Sequence, residues 1–223
     1  LVGLAVAAAL AWRDRSLAAA RETDRPLSVP PGPQVDPEKI VTLLPADAIP
    51  SIDDPQFQPA AAVAADMSPD ERVIGLVVNG DARAYPINIL SSHEIVNDVV
   101  GNEPLAVTWC PLCYTALVFG RQVLDRPDSL TFGVSGKLLY NTLVMFDRQT
   151  NTLWSQLYGA AVDGPLAGAG LAVFPSLNTD WATWVALHPD SLVLSKELTR
   201  QQFSRGSYAE DPRHSYDIDP YAS

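Results

Sequence analysis

Arg72-Val-Ile-Gly-Leu-Val-Val78, Asn79-Gly80 and Asp81-Ala-Arg-Ala-Tyr85 follow one another without interruption, and their reading decides the fold class. The first run is rich in β-branched residues. Asn-Gly then supplies the two positive φ angles that a two-residue type I′ turn requires. The chain is therefore expected to reverse at 79–80 as an antiparallel hairpin. Working outward, five further apolar runs at 105–109, 114–119, 130–134, 142–147 and 152–156 read as strands separated by turn residues. Two segments read as helices. In 87–99, Ile89, Leu90, His93, Ile95, Val96 and Val99 fall at helical spacing, and 180–187 starts at a Thr179 or Asp180 cap and is stopped by Pro189. No repeat of fixed period is present. The expected fold is mainly β (α+β), a single β-rich domain with a few short helices.

Upstream, Leu1-Val-Gly-Leu-Ala-Val-Ala-Ala-Ala-Leu-Ala-Trp12 is apolar throughout, and Arg13, Arg15, Arg21 and Arg25 follow it. Twelve such residues fall short of the roughly 20 that a helix needs to cross a bilayer. Residues 1–25 are thus read as a truncated signal or membrane-anchor segment with its flank. The Arg-rich flank leaves the orientation open. Pro26, Pro30, Pro31, Pro33 and Pro37 make 26–37 an extended tether. The folded domain is expected over 38–223. A cell-envelope location, anchored or exported, is expected, with the membrane contacted through the N-terminal segment.

Over 223 residues, 26 Asp and Glu outnumber 15 Lys and Arg, giving a net charge of −11. So acidic a surface repels phosphate backbones, which excludes nucleic acid as an expected partner. An unknown small ligand or an envelope protein remains. Two cysteines are too few for a disulfide-stapled miniprotein.

Those two cysteines form the one reactive constellation, Trp109-Cys110-Pro111-Leu112-Cys113. A C-x-x-C pair can chelate a soft metal or close a redox disulfide, and such loops favour the thiolate. It can also be a structural clasp, since cysteine is among the most buried residue types. In thioredoxin active sites a similar motif opens a helix, whereas 114–119 here reads as a strand, so a thioredoxin fold is not expected. His93 could join the sulfurs as a third ligand, a Cys₂His set suited to copper or zinc, with Glu94 or Asn97 supporting its ring. The alternative is a non-catalytic binding module with a ligand groove lined by Tyr85, Trp109, Trp154 and Tyr158, the cysteines serving as a structural clasp. Ser135, in Gly133-Val-Ser135-Gly136-Lys137, reads as an exposed turn residue and a further ligand-binding candidate. The stretch matches neither a nucleophile elbow nor a P-loop. Nothing in the sequence groups a nucleophile, a base and oxyanion donors for hydrolysis.

Several blocks taken together carry a resemblance. In order they are Leu44-Pro-Ala-Asp-Ala-Ile-Pro50, Ala84-Tyr85-Pro86, His93-Glu94-Ile-Val-Asn97-Asp98, Trp109-Cys-Pro-Leu-Cys113, Phe132-Gly133-Val-Ser135-Gly136, Met145-Phe-Asp147-Arg148, Trp154-Ser-Gln156 and Asp219-Pro220-Tyr221. The chain resembles the bacterial and archaeal domain of unknown function family 3179 (DUF3179) from about residue 40 to 221. The resemblance implies an envelope location, brings no activity with it, and implies that the domain is cut short at its C-terminal end.

Overall fold

The computed structural model describes residues 35–124 and 126–204. The apolar segment 1–25, the tether as far as 34 and the tail beyond 204 lie outside them. In chain order the elements begin with β1 (Ile40–Thr42), β2 (Phe57–Pro59), α1 (Ala60–Val63), β3 (Arg72–Val78), β4 (Asp81–Pro86) and α2 (Ile87–His93). The middle of the chain gives β5 (Ile95–Val100), β6 (Glu103–Cys110), β7 (Thr115–Gly120), β8 (Phe132–Leu139) and β9 (Thr142–Asp147). The last are β10 (Leu153–Ser155), β11 (Ala160–Asp163), β12 (Val173–Phe174), β13 (Leu177–Asp180), α3 (Trp181–Leu187), β14 (Leu192–Leu194) and α4 (Lys196–Phe203). The fold is mainly β.

The strands make three sheets, ordered β13-β3-β4-β14-β2, β12-β7-β6-β5 and β1-β8-β9-β10-β11. The hairpin read from the sequence is present. Val78 pairs with Asp81 and Val73 with Pro86, across Asn79 at φ 50 and Gly80 at φ 84. The second sheet lies between the other two. Alternate residues of β6 therefore serve different cores: Leu105, Val107 and Trp109 pack with Ile74, Leu76 and Tyr85 of the first sheet. Ala106 and Cys110 pack with Phe132, Val134, Leu143 and Met145 of the third. A strand buried on both faces reads as a near-continuous apolar run, as 105–110 does apart from Thr108. Helices α1 and α3 cover the outer face of the first sheet, where Trp184 packs over Gly75. A Cβ on Gly75 would lie 2.2 Å from the indole ring, so this strand position takes only glycine. Asp180 caps α3 by accepting from Thr183 N–H at 2.7 Å, as the sequence indicates. Among the described residues no helix is long and apolar enough to cross a membrane.

Two expectations are corrected. The helix read over 87–99 ends at His93. Glu94 takes φ 59, and the chain continues as β5, paired with β6 from Ile95↔Thr108 to Val100↔Glu103. Ser135 is not exposed. It sits in a bulge of β8, where the register against β9 slips between Val134 and Lys137. Its hydroxyl donates to the Val144 carbonyl and accepts from Lys137 N–H at 3.1 Å. Gly136, at φ 71, lets residues 43–47 lie along this bulge, with the Leu43 and Leu44 amides both donating to its carbonyl. Arg148 holds that segment in place through Asp47 (2.6 and 3.0 Å) and Ser51 (3.0 Å).

Candidate functional site

The Cys-Pro-Leu-Cys stretch forms the tip of the β6–β7 hairpin. Cys110 pairs with Thr115 as the last rung, and the chain reverses through 111–114. Tyr114 adopts φ 50 to close the loop, and Thr115 Oγ1 donates to the Cys113 carbonyl at 3.0 Å. Behind the tip, the buried Gln156 amide donates to the Thr115 carbonyl at 3.0 Å and to Thr108 Oγ1 at 3.2 Å. The cysteines are thus mounted on a braced turn.

Both are free thiols, Cys110 buried and Cys113 half-buried. The two side chains are hydrogen-bonded to each other. Burial pushes the Cys110 thiol up to about 12, and its bond to Cys113 adds to the effect. Backbone amides of Leu143 and Cys113 oppose it. The stabilised thiolate expected from the motif is therefore not what Cys110 presents: at neutral pH it is a protonated donor.

Cys110, Pro111 and Leu112 form one wall of a pocket of about 230 Å³. Leu43, Leu44, Ile49, Val134, Leu138 and Leu143 supply most of the rest. The polar members are Glu94 and Lys137, and Lys137 Nζ is occupied by Thr42 Oγ1 at 2.6 Å. Glu94 closes α2. Its amide donates to the Leu90 carbonyl at 2.7 Å, and its carbonyl accepts from Trp109 N–H at 2.8 Å. At φ 59 and ψ −31 its backbone is strained, a cost of about 1–3 kcal/mol for a non-glycine residue. Its carboxyl makes no hydrogen bond or ion pair among the described residues. Burial pushes that carboxyl up to about 7.

The family described as protein of unknown function, DUF3179, matches residues 46–223, most of the chain. The chain belongs to the DUF3179 family. No curated protein and no solved structure matches it. The DUF3179 match contains the cysteine hairpin, Glu94 and the β8–β9 wall of the pocket, while Leu43 and Leu44 lie just ahead of it.

The other residues singled out from the sequence sit elsewhere in this DUF3179 fold. His93 is fully buried. Its Nδ1–H donates to the Pro50 carbonyl at 2.7 Å, and its ring packs on Phe203 of α4 at 4.4 Å. It does not join the sulfurs: among the described residues no three His, Cys, Asp or Glu side chains group as a metal site. Asn97 does not support His93 but ties the second sheet to the third, bonding the Phe132 carbonyl at 2.8 Å and amide at 2.9 Å, and Asp53 at 2.7 Å. Tyr85, Trp109 and Trp154 are core residues rather than groove walls. Tyr85 donates to Asp98, and Trp154 Nε1 donates to Asp147 at 2.9 Å while its ring meets Phe132 edge-on. Sequence reasoning missed Leu43, Leu44, Lys137 and Leu143 as pocket residues. Glu94 was noted only through His93, and no local signal marks its carboxyl as facing a pocket.

Proposed function

We propose that this DUF3179 chain performs thiol–disulfide exchange through Cys110 and Cys113. The observation that carries the reading is the pair of hydrogen-bonded free thiols on one turn, one accessible and one buried at a pocket wall. As thiolate, Cys113 attacks a substrate disulfide, forming a mixed disulfide and expelling one substrate thiolate. Cys110 then loses its proton to solvent and attacks the Cys113 sulfur, which expels the second substrate thiolate. The protein gives up two electrons as its own disulfide forms, and the substrate gains them as two thiols. The envelope location expected from the apolar lead would set this reaction where disulfides form and persist.

Metal binding to the pair holds Cys110 as a standing thiolate, which burial opposes, whereas exchange needs that thiolate only transiently, in the resolving step. Cys110→Ser treated with oxidised glutathione is expected to accumulate one stable glutathione adduct at Cys113, because no resolving sulfur remains. The wild-type chain passes on to an internal disulfide. Cys113→Ser should form adducts at least about tenfold more slowly, since the remaining thiol is buried and protonated. Equal adduct formation at both sulfurs, or none at either, contradicts the reading, and intact-mass kinetics separates these results.

A further inference from the structure

The pocket does no work in the exchange chemistry as written, yet it opens beside the reacting sulfurs. Its volume of about 230 Å³ exceeds the roughly 150 Å³ of a dry apolar cavity that holds benzene, so it admits a leucine or phenylalanine side chain. The apolar surface also continues past the cavity. Leu43, Leu44 and Leu112 are 62%, 43% and 37% exposed, and all three line its mouth. Large apolar side chains concentrated at one opening mark a surface that another molecule covers. β1, which runs into Leu43 and Leu44, is an edge strand among the described residues, the kind of position where an extended chain can add.

Glu94 supplies the polar half of the recognition. Glu94 lines this otherwise largely apolar pocket, its carboxyl takes no hydrogen bond from a described residue, and Lys137 on the same lining is turned to Thr42. A partly desolvated acceptor gains from a donor that arrives with a ligand. A peptide carries both requirements, an apolar side chain and an N–H group.

We propose that the substrate is a polypeptide disulfide whose apolar residue next to the cysteine fills this pocket while a peptide N–H donates to Glu94. The proposal rests on the exchange reading and adds to it a substrate class and a specificity site.

The test uses the full chain and peptides Gly-Xaa-Cys-Gly, each activated as a mixed disulfide with thionitrobenzoate, so that exchange releases a chromophore. Burying a leucine or phenylalanine side chain is worth about 1.5–3 kcal/mol, so peptides with Xaa leucine or phenylalanine should react roughly 10- to 100-fold faster than with alanine. Aspartate at Xaa should be slower than alanine. Leu44→Asp, at an exposed rim position, should collapse the leucine-to-alanine ratio toward one. Glu94→Leu should slow the leucine peptide about tenfold, and Glu94→Gln, which keeps an acceptor oxygen, should restore most of that rate.

Equal rates for leucine, phenylalanine and alanine peptides, all abolished by Cys113→Ser, would overturn the pocket proposal while leaving exchange standing. No chromophore release from any peptide would overturn both. A chain that runs as a dimer, and that Leu44→Asp splits, would assign the rim to a second copy and overturn the peptide assignment.

Discussion

Asp98→Ala is expected to cost about 3–5 kcal/mol of folding stability, the range for breaking a buried ion pair by removing one partner. The Asp98 carboxylate takes both oxygens to Arg83 Nη1 at 2.8 Å, accepts from Tyr85 Oη at 2.6 Å and accepts from the Val99 amide at 2.7 Å. This cluster joins β4 of the first sheet to β5 of the second. Burial pushes the Tyr85 phenol well above its ordinary range and the Asp98 charge pushes it further, so Tyr85 acts only as a donor. Removing the carboxylate leaves that buried hydroxyl unmatched and half-undoes the pairing of Arg83, which keeps Asp81 at 2.9 Å. The retained partner places the loss toward the lower end of the range. For a domain of this size the melting temperature should fall by roughly 10 °C. A variant melting within about 2 °C of wild type would show that the cluster does not hold the sheets together.

The second large effect is a stability that declines as pH rises from about 4.5 to about 7. Burial lifts Glu94 from its ordinary 4.5 to about 7 in the folded chain. Below pH 4.5 the group is protonated in both folded and unfolded chains. Between 4.5 and 7 the folded chain holds a proton that the unfolded chain has released, so each pH unit removes about 1.4 kcal/mol. The contribution is present in full below the unfolded value, and about 3 kcal/mol is gone once pH exceeds the folded one. Glu94→Gln cannot ionise and should escape the decline. Denaturant titrations should find it close to wild type near pH 4.5 and about 3 kcal/mol more stable by pH 8. A constant difference across that span would mean that Glu94 titrates normally. The strain at φ 59 and the unmatched carboxyl are costs that stability alone does not require, as expected of a residue kept for binding.

Much of the fold could be read locally because the deciding features are local. Asn79-Gly80 carries its own turn, and β9 matches 142–147 to the residue because turn residues flank it on both sides. The failure at 87–99 has a physical cause. β5 lies between two sheets, so Ile95, Val96, Asn97 and Asp98 are all buried and no alternation distinguishes strand from helix. The break at Glu94 depends on a φ that no glycine or asparagine announces. β8 was read only to Val134, because the Ser135–Gly136 bulge interrupts its pattern. For the site, the cysteine pair was legible and its surroundings were not. The pocket gathers segments near 43–49, 94, 110–112, 134–138 and 143, which meet only when the second and third sheets pack. The aromatic residues drew attention as groove walls, but tertiary burial puts Tyr85, Trp109 and Trp154 in the core.

The redox equilibrium of the pair tests the central claim most directly. The full chain would be equilibrated in glutathione buffers of graded potential, then trapped with a thiol-alkylating reagent and weighed intact. The account predicts that both thiols disappear together in one two-electron transition, with no lasting glutathione adduct, and that Cys113→Ser shows no such transition. Two thiols still free in the most oxidising buffer, or lost separately as two independent adducts, would contradict it.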